Sequence, residues 1–167
     1  LRVSLDDEFK VHTWLSSFAV TPSKVHFLYL AQSSPPRQHY VRYDRQTGNR
    51  DKDLQPNFGD GRAAIRGLDG FFAVDRKEKE TVLYCIGRDP EGHVVCLRSA
   101  DEGETWNPHA KTRETYQVYS LGGCRTSCLI GTKGGKPYII GSFTDQRGDN
   151  ASGEQKSRVF FFRIPLS

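Results

Sequence analysis

The chain has 167 residues, of which 36% are hydrophobic and 26% charged, with ten Phe, seven Tyr and two Trp; these are the proportions of one folded domain and not of a disordered tail. Its net charge of +4 comes from 24 Lys and Arg against 20 Asp and Glu spread along the sequence, which argues against the one-signed patch of a nucleic-acid-binding face. No apolar run approaches the roughly 20 residues of a membrane-spanning helix, so neither nucleic acid nor membrane insertion is expected.

In chain order, six short β-rich runs stand out: Val25–Leu30, His39–Tyr43, Thr81–Ile86, His93–Leu97, Pro137–Gly141 and Arg158–Phe162. The clusters Ser33-Ser34-Pro35-Pro36, Asp89-Pro90-Glu91-Gly92 and Lys133-Gly134-Gly135-Lys136 separate them. Strand formers punctuated by Gly, Pro, Asp and Ser, with no sustained helical period, predict an antiparallel all-β chain. The 89–92 cluster suits a type I turn followed by a bulge. Proline presets φ at its second position, and glycine tolerates the left-handed conformation at its fourth. That bulge shifts register by one, setting Cys85 opposite Leu97 and turning Cys96 to the other face.

The runs repeat. Phe18-Ala19-Val20, then Val25–Leu30, then Tyr40-Val41-Arg42 is followed by Phe72-Ala73-Val74, Thr81–Ile86 and Cys96-Leu97-Arg98. The Phe-Ala-Val tripeptides are 54 residues apart and the Arg ends 56 apart. A looser third copy runs from Ser127-Cys128 through Pro137–Gly141 to Phe162-Arg163. The approximate units are 14–70, 71–123 and 124–167, and units of this size with several strands predict blade-like sheets in a partial or oligomer-completed β-propeller. The alternative is a compact β-sandwich or barrel.

The second unit ends in Ser99-Ala100-Asp101-Glu102-Gly103-Glu104-Thr105-Trp106. This resembles the Asp-box, or BNR repeat, of sialidases and other propeller proteins, with Ser99, Asp101, Gly103, Thr105 and Trp106 in the defining places. Asp101 can accept hydrogen bonds from the turn, Gly103 can supply positive φ, and Trp106 can cover the hairpin. The resemblance implies a structural hairpin between the third and fourth strands of a blade. The first unit keeps a reduced version, Tyr43-Asp44-Arg45-Gln46-Thr47-Gly48. Single Asp-boxes also occur in some microbial ribonucleases, which keeps a small secreted effector or toxin among the alternatives.

Phe162-Arg163-Ile164-Pro165 is similar to the sialidase motif whose arginine grips a substrate carboxylate, a bidentate task suited to guanidinium. That resemblance makes Arg163 a candidate substrate ligand and the chain a candidate part of a sialidase-like glycoside hydrolase. Against it, Arg163 aligns with Arg42 and Arg98 as a recurrent strand-end residue, and no catalytic residues are assigned. The favoured expectation is binding of a glycan or protein surface without catalysis. Tyr29, Tyr40, Tyr84, Tyr116 and Tyr138 are the candidate stacking groups, and self-association or a second polypeptide would complete the propeller.

Four cysteines, the sequon Asn150-Ala151-Ser152 and the absence of methionine lean toward a secreted, disulfide-containing glycoprotein modified at Asn150. The missing methionine is read as a removed leader or a cut from a longer chain. The five histidines lack zinc-ligand spacing, so no metal and no cofactor is expected. Gly131–Lys136 has too few residues between glycine and lysine for a phosphate loop and is read as a hairpin turn. Arg147-Gly148-Asp149, an integrin-type tripeptide, and Arg42-Tyr43-Asp44-Arg45, which resembles a strand of ADP-ribosylating toxins, are read as chance matches.

Overall fold

A computed structural model describes residues 13–31, 37–54, 71–76, 80–89, 91–115, 128–148 and 155–166. The regular structure among them is all β. Strands β1 (Thr13–Val20), β2 (Lys24–Ala31), β3 (Arg37–Asp44) and β4 (Arg50–Leu54) form the first sheet in chain order. The second is β5 (Phe71–Arg76), β6 (Thr81–Arg88), β7 (His93–Ser99) and β8 (Asn107–Thr115). The third is β9 (Cys128–Lys133), β10 (Lys136–Gly148) and β11 (Gln155–Pro165). Neighbouring strands are antiparallel throughout.

The central strands β6 and β7 of the middle sheet are buried on both faces while its edge strand β8 is largely exposed, which explains why β6 and β7 read as continuous apolar runs and not as alternating ones. One face carries Phe72, Leu83, Cys85, Val95, Leu97 and Trp106 and packs on Ala19, Leu28 and Tyr40 of the first sheet. The other face carries Ala73, Tyr84, Ile86, Val94 and Cys96 and packs on Ile139, Ile164 and Leu166 from the third sheet and the residue after it. Each fully buried Leu or Ile contributes on the order of 2 kcal/mol. The first strands of the sheets also follow one another, β1 beside β5 and β5 beside β9. Among the described residues the three sheets form an open stack and do not close into a barrel.

The repeat is visible in the strand registers. Ala19 faces His26, which faces Arg42; Ala73 faces Tyr84, which faces Arg98; Leu129 faces Ile140, which faces Arg163. The 89–93 turn holds the expected bulged register. Gly92 has φ +98°, and Cys85 pairs with Leu97 while Cys96 pairs with Ile86. The two thiols therefore lie in different core layers, and the expected disulfide is not found among the described residues. Cys124 lies outside them. Lys133 and Lys136 close the β9–β10 hairpin through Gly134 and Gly135, both at positive φ.

Candidate functional site

The hairpin Ser99–Trp106 joins β7 to β8 and satisfies most of its polar groups internally. Asp101 accepts hydrogen bonds from the Ser99 hydroxyl at 2.7 Å, the Thr105 N–H at 3.0 Å and the Thr105 hydroxyl at 2.6 Å. Gly103 N–H donates to the Ser99 hydroxyl at 2.8 Å. Burial works against the Asp101 charge, but the Thr105 and Ser99 bonds prevail and lower its pKa. Gly103 has φ +80°, and a Cβ there would overlap the Tyr40 hydroxyl. Trp106 is buried with its ring stacked on Phe72 (6.2 Å, 21°) and edge-on to Tyr40 (5.5 Å, 84°).

The same hairpin is gripped from the first sheet. Arg42 is only 3% exposed. Its guanidinium donates to both Asp51 oxygens at 2.8 and 3.1 Å, to the Glu102 carbonyl at 2.9 Å and to the Glu104 carboxylate. Lys52 donates to the Glu104 carbonyl at 2.8 Å and to its carboxylate. Ser23 donates its N–H to Glu102 at 3.0 Å and its hydroxyl to the same carboxylate. Glu102 sits at φ 53°, an unfavourable place for a non-glycine residue, and these bonds hold it there. Burial disfavours the Arg42 charge, but the hydrogen bonds it donates to Asp51 and Glu104 raise its pKa above the ordinary arginine value. Lys52, and then Arg42, lower that of Glu104.

Behind the grip lies a buried polar chain. His26 Nδ1 is 2.8 Å from the Tyr40 hydroxyl and Nε2 is 3.0 Å from the Thr21 hydroxyl. Burial, with Arg42 adding to it, lowers the His26 pKa to about 4. The side chains of Thr21, His26 and Tyr40 resemble a nucleophile–base relay in order only. All three are buried within the first sheet and its β1–β2 turn, and the His26 and Tyr40 rings pack on Phe72 of the second.

The reduced hairpin of the first sheet uses the same chemistry. Asp44 accepts from the N–H groups of Gln46 and Thr47, both at 2.9 Å. The Thr47 N–H is the first cause holding its pKa down to about 2, followed by Lys24.

The remaining sequence-derived candidates separate by burial. Tyr29, Tyr40 and Tyr84 are buried and cannot offer a stacking face; this corrects their assignment as ligand groups. Their hydrophobic neighbours in β2, β3 and β6 made them core residues. Tyr116 and Asn150 lie outside the described residues. Tyr138 is half-buried, and the exposed Arg163 guanidinium lies over its ring at 5.6 Å, a cation–π arrangement. Asp89, Glu91 and His93 bring donor atoms within 4.8 Å of one another. Lys111 already sits among them, 2.8 Å from Asp89 and 3.3 Å from Glu91. Asp89 also shapes the turn, accepting from the Glu91 and His93 N–H groups at 3.0 and 2.9 Å.

Sequence reasoning found the hairpin but missed Ser23, Lys52 and the role of Arg42. An arginine inside an apolar strand run was the available signal, since a buried guanidinium requires acceptors. No protein-family model matches the chain, and no curated protein or solved structure matches it at a significant level.

Proposed function

We propose that this chain contributes three consecutive blades of a secreted Asp-box β-propeller-type protein that binds a glycan or a protein surface without turning it over. The observation that carries the reading is the commitment of the 99–106 acids. Asp101 is bonded within the hairpin, and Glu102 and Glu104 are held by Ser23, Arg42 and Lys52. The most recognisable motif is thus a clasp between sheets, with its carboxylates engaged and not presented to a substrate. Three antiparallel sheets stacked in chain order, with β1, β5 and β9 in succession, agree with blades about a common axis. The exposed Arg163 over Tyr138 offers a cation and an aromatic edge to an anionic or sugar ligand.

Two measurements on one preparation separate binding from hydrolysis. A sialylated glycan array should retain the protein and lose it with Arg163→Ala. A fluorogenic sialoside should show no turnover. Turnover that disappears with Arg163→Ala would replace the binding reading with the hydrolase.

A further inference from the structure

Phe18, Ile140 and Phe161 stand out as exposed large apolar side chains among the described residues, at 61%, 38% and 80%. Phe18 lies on the outer face of the first sheet, in register with Phe27 and Val41. Ile140 and Phe161 lie on the outer face of the third sheet with Arg163. Their places in the repeat are specific. Phe18 corresponds to Phe72 through the shared Phe-Ala-Val. Ile140 corresponds to His26, because each faces the recurrent arginine of its sheet. Phe161 corresponds to Tyr40, two residues before that arginine.

Within the chain, the counterparts of these three residues touch. Phe72 packs edge-on against His26 (6.2 Å, 67°) and Tyr40 (6.1 Å, 75°) at the junction of the first and second sheets. That contact leaves Phe72 only 8% exposed. The exposed trio is therefore the same junction divided between the two ends of the stack.

We propose that a second copy of this chain docks head-to-tail on the outer face of the third sheet, Phe18 of one copy packing on Ile140 and Phe161 of the other. The inference rests on the stacked-blade part of the reading above and not on its ligand.

Two further observations define what such a contact would share with the internal junction and where it would differ. At the internal junction Arg42 meets Glu102 and Glu104 of the next sheet. The 56-residue offset puts Gln46 and Gly48 at those places in the first sheet, so an arginine docking there would not meet the two acids that Arg42 meets. Arg163 instead lies over Tyr138 of its own sheet, which supports the charge without one. Tyr29, Val41 and Tyr43 on the Phe18 face are already buried, which centres the contact on Phe18 and Phe27 beside β1. Because each copy carries both halves, the contact is heterologous, and two copies can make it twice in a closed ring.

Sedimentation velocity on the wild type, Phe18→Glu, Phe161→Glu and an equimolar mixture of the two variants tests this. Circular dichroism and thermal melts verify that each variant folds. The wild type should sediment at twice 18.9 kDa and each variant alone at 18.9 kDa. The mixture should regain a two-chain species, since one unaltered junction remains between the two variants. A monomeric wild type, an assembly broken by only one variant, or a mixture that stays monomeric would overturn the proposal. Arg163 shares the docked face, so the ligand proposal is read separately on monomeric Phe18→Glu, whose third-sheet face is unaltered: retention on the array there, lost on adding Arg163→Ala, supports the ligand whatever the mass of the wild type.

Discussion

At Gly103 the backbone takes φ +80° with its Cα against the Tyr40 hydroxyl. Gly103→Ala therefore adds a left-handed penalty to a steric overlap, and should cost about 2–4 kcal/mol in urea unfolding. Arg42→Ala removes the donor that Asp51, Glu104 and the Glu102 carbonyl share. We expect a loss of about 2–3 kcal/mol, below the range for fully buried pairs because the Glu104 side chain is 54% exposed. A double-mutant cycle with Glu104→Ala should give a coupling of about 1 kcal/mol, whereas zero coupling would mean that the Arg42–Glu104 pair contributes nothing to holding the hairpin. His26 supplies the pH dependence. Burial holds its folded pKa near 4 against about 6.5 unfolded, so between these values the unfolded chain binds a proton that the folded chain refuses. Stability should be level above pH 6.5 and fall by about 2 kcal/mol by pH 5; His26→Gln should remove that slope. At this scale the sequence was readable where bonds are local, as at Asp101 and Gly103. It was silent on the Arg42–Glu104 pair, whose members lie 62 residues apart and meet only when two sheets dock.

Among the elements, the 89–93 turn sets the register of β6 against β7. Asp89 accepts from two turn N–H groups and pairs with Lys111, so Asp89→Ala should destabilise by about 1–2 kcal/mol on thermal or urea unfolding. Proline and glycine at fixed positions made this turn and its register legible from the sequence. The same register buries Cys85 completely and pushes its thiol pKa up. Native Cys85 should resist iodoacetamide and react only on unfolding, as peptide mapping of the alkylated protein would show. Tyrosines were harder to place. Tyr29, Tyr40 and Tyr84 have the composition of a binding surface but occupy β2, β3 and β6 on buried faces. Tyr40 and Tyr84 are covered by neighbouring sheets and Tyr29 packs with Val41 and Tyr43 of its own sheet; which face of a strand becomes covered depends on tertiary packing, and strand pattern alone does not contain it.

For the whole molecule, the repeat in the sequence corresponds to a physical repeat of sheets, with matching registers at Arg42, Arg98 and Arg163. The middle sheet is the layer on which the others pack, since one of its faces joins the first sheet and the other joins the third. Of the outer sheets, the first carries the exposed Phe18 and the third the exposed Ile140 and Phe161. Local stability should follow that order, because amide exchange from the most enclosed strands requires the largest opening. Native-state hydrogen exchange, resolved by peptide and mass spectrometry, tests this stack directly. The slowest amides should lie in β6 and β7, with β2, β3, β10 and β11 exchanging sooner. Equal protection in all three sheets, or slower exchange in the first or third than in the second, would contradict it.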